Sequence, residues 1–229
     1  MTNLKMLVIA PHPDDEVLGA GGIMTRFTRA GGELTVLTIA AHMPPLFPKS
    51  IHDQTISESK KAHSLIGVKE SIFLNKPAVG LDKEDTATLN NDILDILGVC
   101  NPDIVLMPYF DRHIDHRVIF DACMVATRPV GIGEKLKIVA AYETLSETHW
   151  NAPHIEPNFT PNWVVDITDQ IEVKLSAFSL YESQVHPYPA PRSIEALRAL
   201  SLFRGSQAGF GYGEGFHIVR MTLAPESFL

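Results

Sequence analysis

His12-Pro13-Asp14-Asp15-Glu16 sets one imidazole between two prolines and directly before three carboxylates. Far downstream, Asp111-Arg112-His113-Ile114-Asp115-His116 offers the same two side-chain chemistries again. Imidazole nitrogens and carboxylate oxygens together suit a divalent cation of borderline softness, zinc before magnesium or calcium. Each segment also has a plainer explanation. Asp and Glu cap helix N-termini and complement the helix dipole, and prolines shape turns. That covers Asp14, Asp15 and Glu16 but leaves His12 unexplained. Likewise, His113 and His116 could simply cap the next helix. Two such clusters at equivalent positions favour a metal over two coincidences. Three protein ligands with one open position make a catalytic rather than a structural site. No Ser or Cys stands in a recognisable nucleophile setting.

The equivalence of the two positions comes from the elements before them. Lys5–Ala10 is a short, continuous apolar run that reads as a buried strand, and Asp103–Met107 is another. Both clusters therefore leave the C-terminal ends of strands, the edge at which open parallel sheets bind ligands. Helical patterns follow at 17–30, closed by Gly31-Gly32, and at 50–66, stopped at Gly67. Further strands are expected at 34–39, 71–74 and 137–142. Leu89, Ile93, Ile96 and Leu97 mark one helix face, and another helix is expected over 117–128. Alternating strands and helices imply parallel βαβ units with right-handed crossovers. The later third reads differently. A proline- and asparagine-rich stretch, 146–162, is expected to be a long surface loop. A strand follows at 164–167. Asp169-x-x-Glu172 has the form of a capping box opening a helix through Gln184. A helix over 193–203, a glycine-rich turn over 205–215 and a strand over 216–222 complete the reading. The expectation is an α/β, Rossmann-like, mostly parallel sheet with helices on both faces, forming a single domain over residues 1–229.

Composition narrows the function classes. The 229 residues include 45% apolar and 20% charged side chains, enough for a core and too apolar for a disordered chain. The net charge of −8, with no Lys/Arg stripe, argues against nucleic acid as a partner. No apolar run approaches the ~18 residues that would span a bilayer. No signal-peptide pattern precedes the first strand. Two cysteines, Cys100 and Cys123, make no disulfide framework, so the cytoplasm is the expected compartment.

Together, His12-Pro13-Asp14-Asp15-Glu16 and His113-Ile114-Asp115-His116 resemble the LmbE/PIG-L family of zinc-dependent de-N-acetylases. Weaker landmarks extend the likeness along the chain: Glu58-x-x-x-Ala62, Leu65-Ile66-Gly67-Val68, Tyr181-Glu182-Ser183-Gln184 and Glu214-Gly215-Phe216. The resemblance implies a Rossmann-like hydrolase that removes an N-acetyl group from an amino sugar or sugar conjugate. It implies zinc, with iron as the alternative ion, held by His12, Asp15 and His116. Asp14 would be the general base acting on the attacking water. His113 would stabilise the oxyanion and protonate the leaving amine, and Asp115 would orient a neighbouring imidazole. A homo-oligomer, trimer or hexamer, is implied as well.

The chain departs from the family pattern at two places. Ala40-Ala41-His42 stands where many members have Gly-Glu, and Thr55 where many have an arginine. Those changes touch substrate recognition rather than metal chemistry, and they leave an amidase for another N-acyl compound as the alternative. His42, Trp150 and Glu214 are the candidate substrate contacts. His42 is weighed against an ordinary loop histidine. Trp150 and Trp163, with nearby His149, His154 and Asn151, suit stacking on a sugar or packing of the loop. Arg192 and Arg198 read as surface charges. Gly19-Ala20-Gly21-Gly22 lies too far past the first strand for a dinucleotide fingerprint, whose first glycine must sit at the strand end. A non-catalytic sugar-binding protein on the same fold is the remaining rival.

Overall fold

A computed structural model describes residues 4–222. The elements run β1 (Lys5–Ala10), α1 (Asp15–Arg29), β2 (Glu33–Ala41), α2 (Lys49–Ile66), β3 (Glu70–Pro77), α3 (Thr86–Cys100), β4 (Ile104–Pro108) and α4 (Ile114–Ala126). Then come β5 (Ile138–Tyr142), β6 (Trp163–Asp166), α5 (Ile171–Ser179), α6 (Ile194–Ala208) and β7 (Gly213–Met221). The strands form one seven-stranded sheet in the order β3-β2-β1-β4-β5-β7-β6. From β3 to β5 all pairings are parallel, while β7 runs antiparallel to both β5 and β6.

Strand alternation explains the two-sided core. Met6 and Val8 of β1 face a cluster with α1, α5 and α6, whereas Leu7 and Ile9 face Leu89, Ile93 and Leu97 of α3 and Ile119 and Cys123 of α4. Both faces of the central strands are thus buried under helices, which is why those strands read as continuous apolar runs. The chain crosses one way from β1 to β2 and β3, and the other way to β4 and β5. The strand order therefore reverses between β1 and β4, the switch point where such sheets open a crevice at their carboxyl ends.

The glycines of α1 serve close packing. A Cβ at Gly19 would stand 2.2 Å from Tyr142 Cδ2 and 2.7 Å from the Glu143 carbonyl oxygen. One at Gly22 would stand 2.6 Å from Ile167 Cγ2. The first helix can lie this near β5 and β6 only because those side chains are absent.

The later third corrects three expectations. The capping box does not form: α5 begins at Ile171 with Gln170 at its N-cap and no side-chain cap bond, and it ends at Ser179 rather than Gln184. Helix α6 runs on to Ala208, and β7 already starts at Gly213, so the turn between them is shorter than expected. The stretch after β5 is not simply a surface loop. Within 146–162, Ser146, Thr148 and Asn151 are buried, with Thr148 donating to Asp111, while residues 152–162 lie at or near the surface as expected.

Candidate active site

The segment after β1 turns sharply. Asp14 takes φ 112°, a value that L residues rarely adopt, and α1 starts from it without any side-chain cap bond. The capping explanation of Asp14 therefore fails. Its backbone amide donates to Glu16 Oε2 at 3.2 Å. Glu16 is fully buried and accepts in addition from the Tyr181 hydroxyl, with His63 Nε2 3.2 Å away. Asp15 points back, its Oδ2 accepting from the His12 amide at 3.0 Å.

The segment after β4 supplies the opposing wall. Two imidazoles, one from each segment, are each pinned by a carboxylate at one nitrogen. His12 Nε2 lies 2.8 Å from Asp115 Oδ2, and His116 Nδ1 lies 2.9 Å from Asp111 Oδ2. Asp115 is itself held by the amides of Val79 at 2.6 Å and Leu81 at 3.3 Å. Asp111 accepts from the Thr148 hydroxyl at 2.9 Å and the His113 amide at 2.9 Å. The remaining nitrogens converge. His12 Nδ1 is 3.2 Å, and His116 Nε2 3.3 Å, from the same atom, Asp15 Oδ2. His113 closes the group, with one ring nitrogen from each of His12, His113 and His116 lying within 4.8 Å of the others.

These contacts account for the electrostatics. Burial lowers the His116 pKa, but the Asp15 and Asp111 carboxylates override it and push the imidazole up to about 10. His12 is raised against burial by Asp115 and Asp15. Burial would raise the Asp15 pKa, yet His116 and His12 hold it well below the carboxylate range. Asp14 behaves oppositely: burial, joined by the charges of Asp15 and Glu16, pushes it up to about 8 although Arg192 opposes the shift. Burial and the neighbouring His12 and His116 depress His113 to about 4. Carboxylates that draw protons onto two buried imidazoles show that the site demands positive charge.

A divalent cation fits that demand. Asp15 Oδ1, His116 Nε2 and Asp14 Oδ1 are buried without a hydrogen-bond partner. Such atoms cost about 1–3 kcal/mol each when nothing meets them. Two imidazole nitrogens and a carboxylate are the donor set of a catalytic zinc site. Asp115 and Asp111 fix which nitrogen of each imidazole is left to bind, as outer carboxylates do in metal sites.

Of the expected substrate contacts, His42 comes to the site. Its ring centroid is 6.5 Å from that of His12, its Nδ1 is buried without a partner, and its ring edge meets Phe47. Trp150 is half-exposed, with the Arg112 guanidinium 6.0 Å from its ring, and it makes no described contact with the histidine cluster. Trp163, on β6 at the end of the sheet, packs against Phe216. Glu214 is a correction. It is buried and accepts from the Gly22 and Ile23 amides at 2.7 and 2.8 Å and from Lys174 Nζ at 2.6 Å, so no atom of its carboxylate is left for substrate. Position 55 holds no substrate either, because Thr55 is buried and donates to the His52 carbonyl.

Sequence reasoning missed two residues. Asp111 opens its own motif, but its bond to His116 depends on how α4 turns. Arg192 reads as a surface charge, yet its Nη1 donates to Asp14 Oδ2 at 3.0 Å and its Nη2 lies 3.9 Å from Asp15 Oδ1. No local pattern points to that pairing; the two residues meet only through the fold.

A family profile described as "PIG-L: GlcNAc-PI de-N-acetylase" matches residues 7–127, which include both clusters. Diacetylchitobiose deacetylase of Thermococcus kodakarensis is 27% identical over 226 residues, covering 94% of this chain and 83% of the relative. Among solved structures, the conserved protein TT1542 of Thermus thermophilus superposes with a TM-score of 0.78 at 25% identity, covering 96% of this chain and 97% of that one. The N,N'-diacetylchitobiose deacetylase of Pyrococcus horikoshii gives 0.72 at 26%, covering 94% and 83%.

Proposed function

The chain belongs to the PIG-L family of de-N-acetylases, and on that premise we propose that it hydrolyses the N-acetyl amide of an amino sugar or sugar conjugate, one catalytic domain spanning the whole chain. The observation that carries the reading is the convergence of His12 Nδ1 and His116 Nε2 on Asp15 Oδ2, with the other nitrogen of each ring already taken. His12, Asp15 and His116 would hold zinc, or iron in its place. When bound, such a cation supplies an acidified water near neutral pH and polarises the amide carbonyl.

Asp14 is the base in this proposal. Arg192 occupies its Oδ2, which leaves Oδ1 buried and free to take the proton of the attacking water. His113 serves the carbonyl oxygen. The Asp115 amide donates to His113 Nδ1 at 3.2 Å, so the ring proton sits on Nε2 and is available to the oxygen as negative charge develops. In this proposal a neutral His113 gives a hydrogen bond but has no second proton to pass on, unlike the role that the family resemblance implies. The proton reaching the leaving amine is therefore the one Asp14 removed from water. Water oxygen bonds to the carbonyl carbon, the C–N bond breaks, and acetate and the free amine leave. His42, beside His12, would contact the sugar, with Trp150 as the second candidate contact. A homo-oligomeric, cytoplasmic enzyme completes the reading. Among the described residues no helix is long and apolar enough to cross a membrane.

Acetate release from N-acetylglucosamine and N,N'-diacetylchitobiose by the zinc-loaded protein tests the proposal. Turnover is expected to vanish on chelation and return with added zinc. Asp14→Asn should retain about one metal per chain while turnover falls by about 10²–10⁴. Wild-type turnover in that variant would remove Asp14 as the base.

A further inference from the structure

Asp14 is fixed at its backbone and at its side chain by different parts of the molecule. The backbone, at φ 112°, is tied down by its amide bond to Glu16, which Tyr181 and His63 hold in turn. His63 is anchored at its other nitrogen by Ser71 Oγ, 2.7 Å away. None of those bonds touches the Asp14 carboxylate. Among the described residues, the hydrogen bond to that carboxylate comes from Arg192, in the connection between α5 and α6.

The guanidinium is itself aimed. Its Nη1 also donates to Gln184 Oε1 at 3.3 Å. Gln184 Nε2 donates to Ser183 Oγ at 3.1 Å, and Ser183 Oγ donates to Glu58 Oε2 of α2 at 2.5 Å. Residues 186–192 are closed by the His186 amide on the Arg192 carbonyl at 2.9 Å, and Ser193 then caps α6 through the Ala196 amide. A chain of bonds thus runs from α2 through Ser183 and Gln184 to Arg192, and ends on Asp14 Oδ2. The planar fork of an arginine holds a carboxylate in orientation better than a lysine's point charge does.

We propose that Arg192 is a positioning residue that holds the Asp14 carboxylate so that Oδ1, not Oδ2, meets the attacking water. Its placement beside both Asp14 and Asp15 also makes the α5–α6 connection part of the catalytic assembly, although the connection lies far from both motifs in the chain. The inference rests on the reading of Asp14 as the base, and its test separates the two.

Arg192→Ala should keep its metal content and lower kcat by about a hundredfold, the scale of a misplaced catalytic group, with KM changed by no more than about twofold. Millimolar guanidinium should restore part of the lost kcat, and Arg192→Lys should fall between the two. In an Asp14→Asn background, Arg192→Ala should add little, because both changes disable one unit. A raised KM with unchanged kcat, or full additivity with Asp14→Asn, would overturn the proposal in favour of a direct substrate contact. Amide hydrogen exchange over residues 184–193 reads the contact without any turnover. Arg192→Ala and Asp14→Gly, the latter free of strain at φ 112°, should both speed exchange there. Unchanged exchange in both would sink the contact itself. Faster exchange in a protein that deacetylates no amino sugar would uphold the contact and defeat the amino-sugar deacetylase reading.

Discussion

Two groups of buried charges lie a short way apart along α1, and they are built on opposite principles. At the middle of the helix, the Glu214 carboxylate takes two backbone amides and the Lys174 ammonium, and every oxygen is met. At its N-terminus, Asp14, Asp15, His12 and His116 crowd together with three polar atoms left unmet. Burying a charge is tolerable when partners replace its water. The first group satisfies itself and joins α1 to α5 and β7. The second satisfies itself only in part, and it does so at the sheet's switch point. A buried ionic cluster whose polar atoms balance is holding the fold; one with orphaned donors and acceptors is arranged for something from outside.

The contrast can be broken at either end. The largest effect is expected from His116→Ala, which removes a ligand of the open cluster. Metal analysis should find the ion lost, and acetate release should drop by about 10⁴ or more, the scale on which the loss of a central catalytic group acts. His116 also pairs with the buried Asp15 and Asp111, so the metal-free variant should melt below metal-free wild type, and metal content is read per folded chain.

Lys174→Met comes next and should do the reverse. It strands Glu214 in the core, and breaking a buried pair from one side costs about 3–5 kcal/mol. Denaturant unfolding should register that loss, while metal content per folded chain stays at the wild-type value. A Lys174→Met protein that is stable but metal-free would erase the distinction between the two clusters.

The smallest effect sharpens it. Asp111→Asn keeps the shape but weakens the hold on His116 Nδ1, and metal affinity should fall by about 10–100-fold. Competition with a chromophoric chelator measures it. An unchanged affinity would mean that Thr148 and the His113 amide, not the imidazole, are the reason for Asp111.

How much of this was legible in the sequence follows the range of the interactions involved. The central strands announced themselves because both of their faces are buried, and the helix end at Gly67 because it adopts a left-handed backbone there. The two clusters could be grouped because both follow buried strands and so open on the same edge of the sheet, while the choice of His12, Asp15 and His116 within them came from the family resemblance. Glu214 was misread because its residue type shows a charge and not what surrounds it. The same blindness hid Arg192, whose partner is 178 residues away. The Asp169-x-x-Glu172 pattern misled because the helix it should open starts with Gln170 in helical backbone, where no capping side chain is required.

The sequence by itself determined the βαβ order, the chemistry available at two strand ends and the poverty of basic surface, since each depends on local pattern or on totals. Tertiary structure alone decided which nitrogen of each imidazole stays free, which oxygen of Asp14 is held, and that Lys174, not a substrate, takes Glu214. Those choices are made by single hydrogen bonds between segments brought together only when the sheet is complete, and no spacing along the chain encodes their distances.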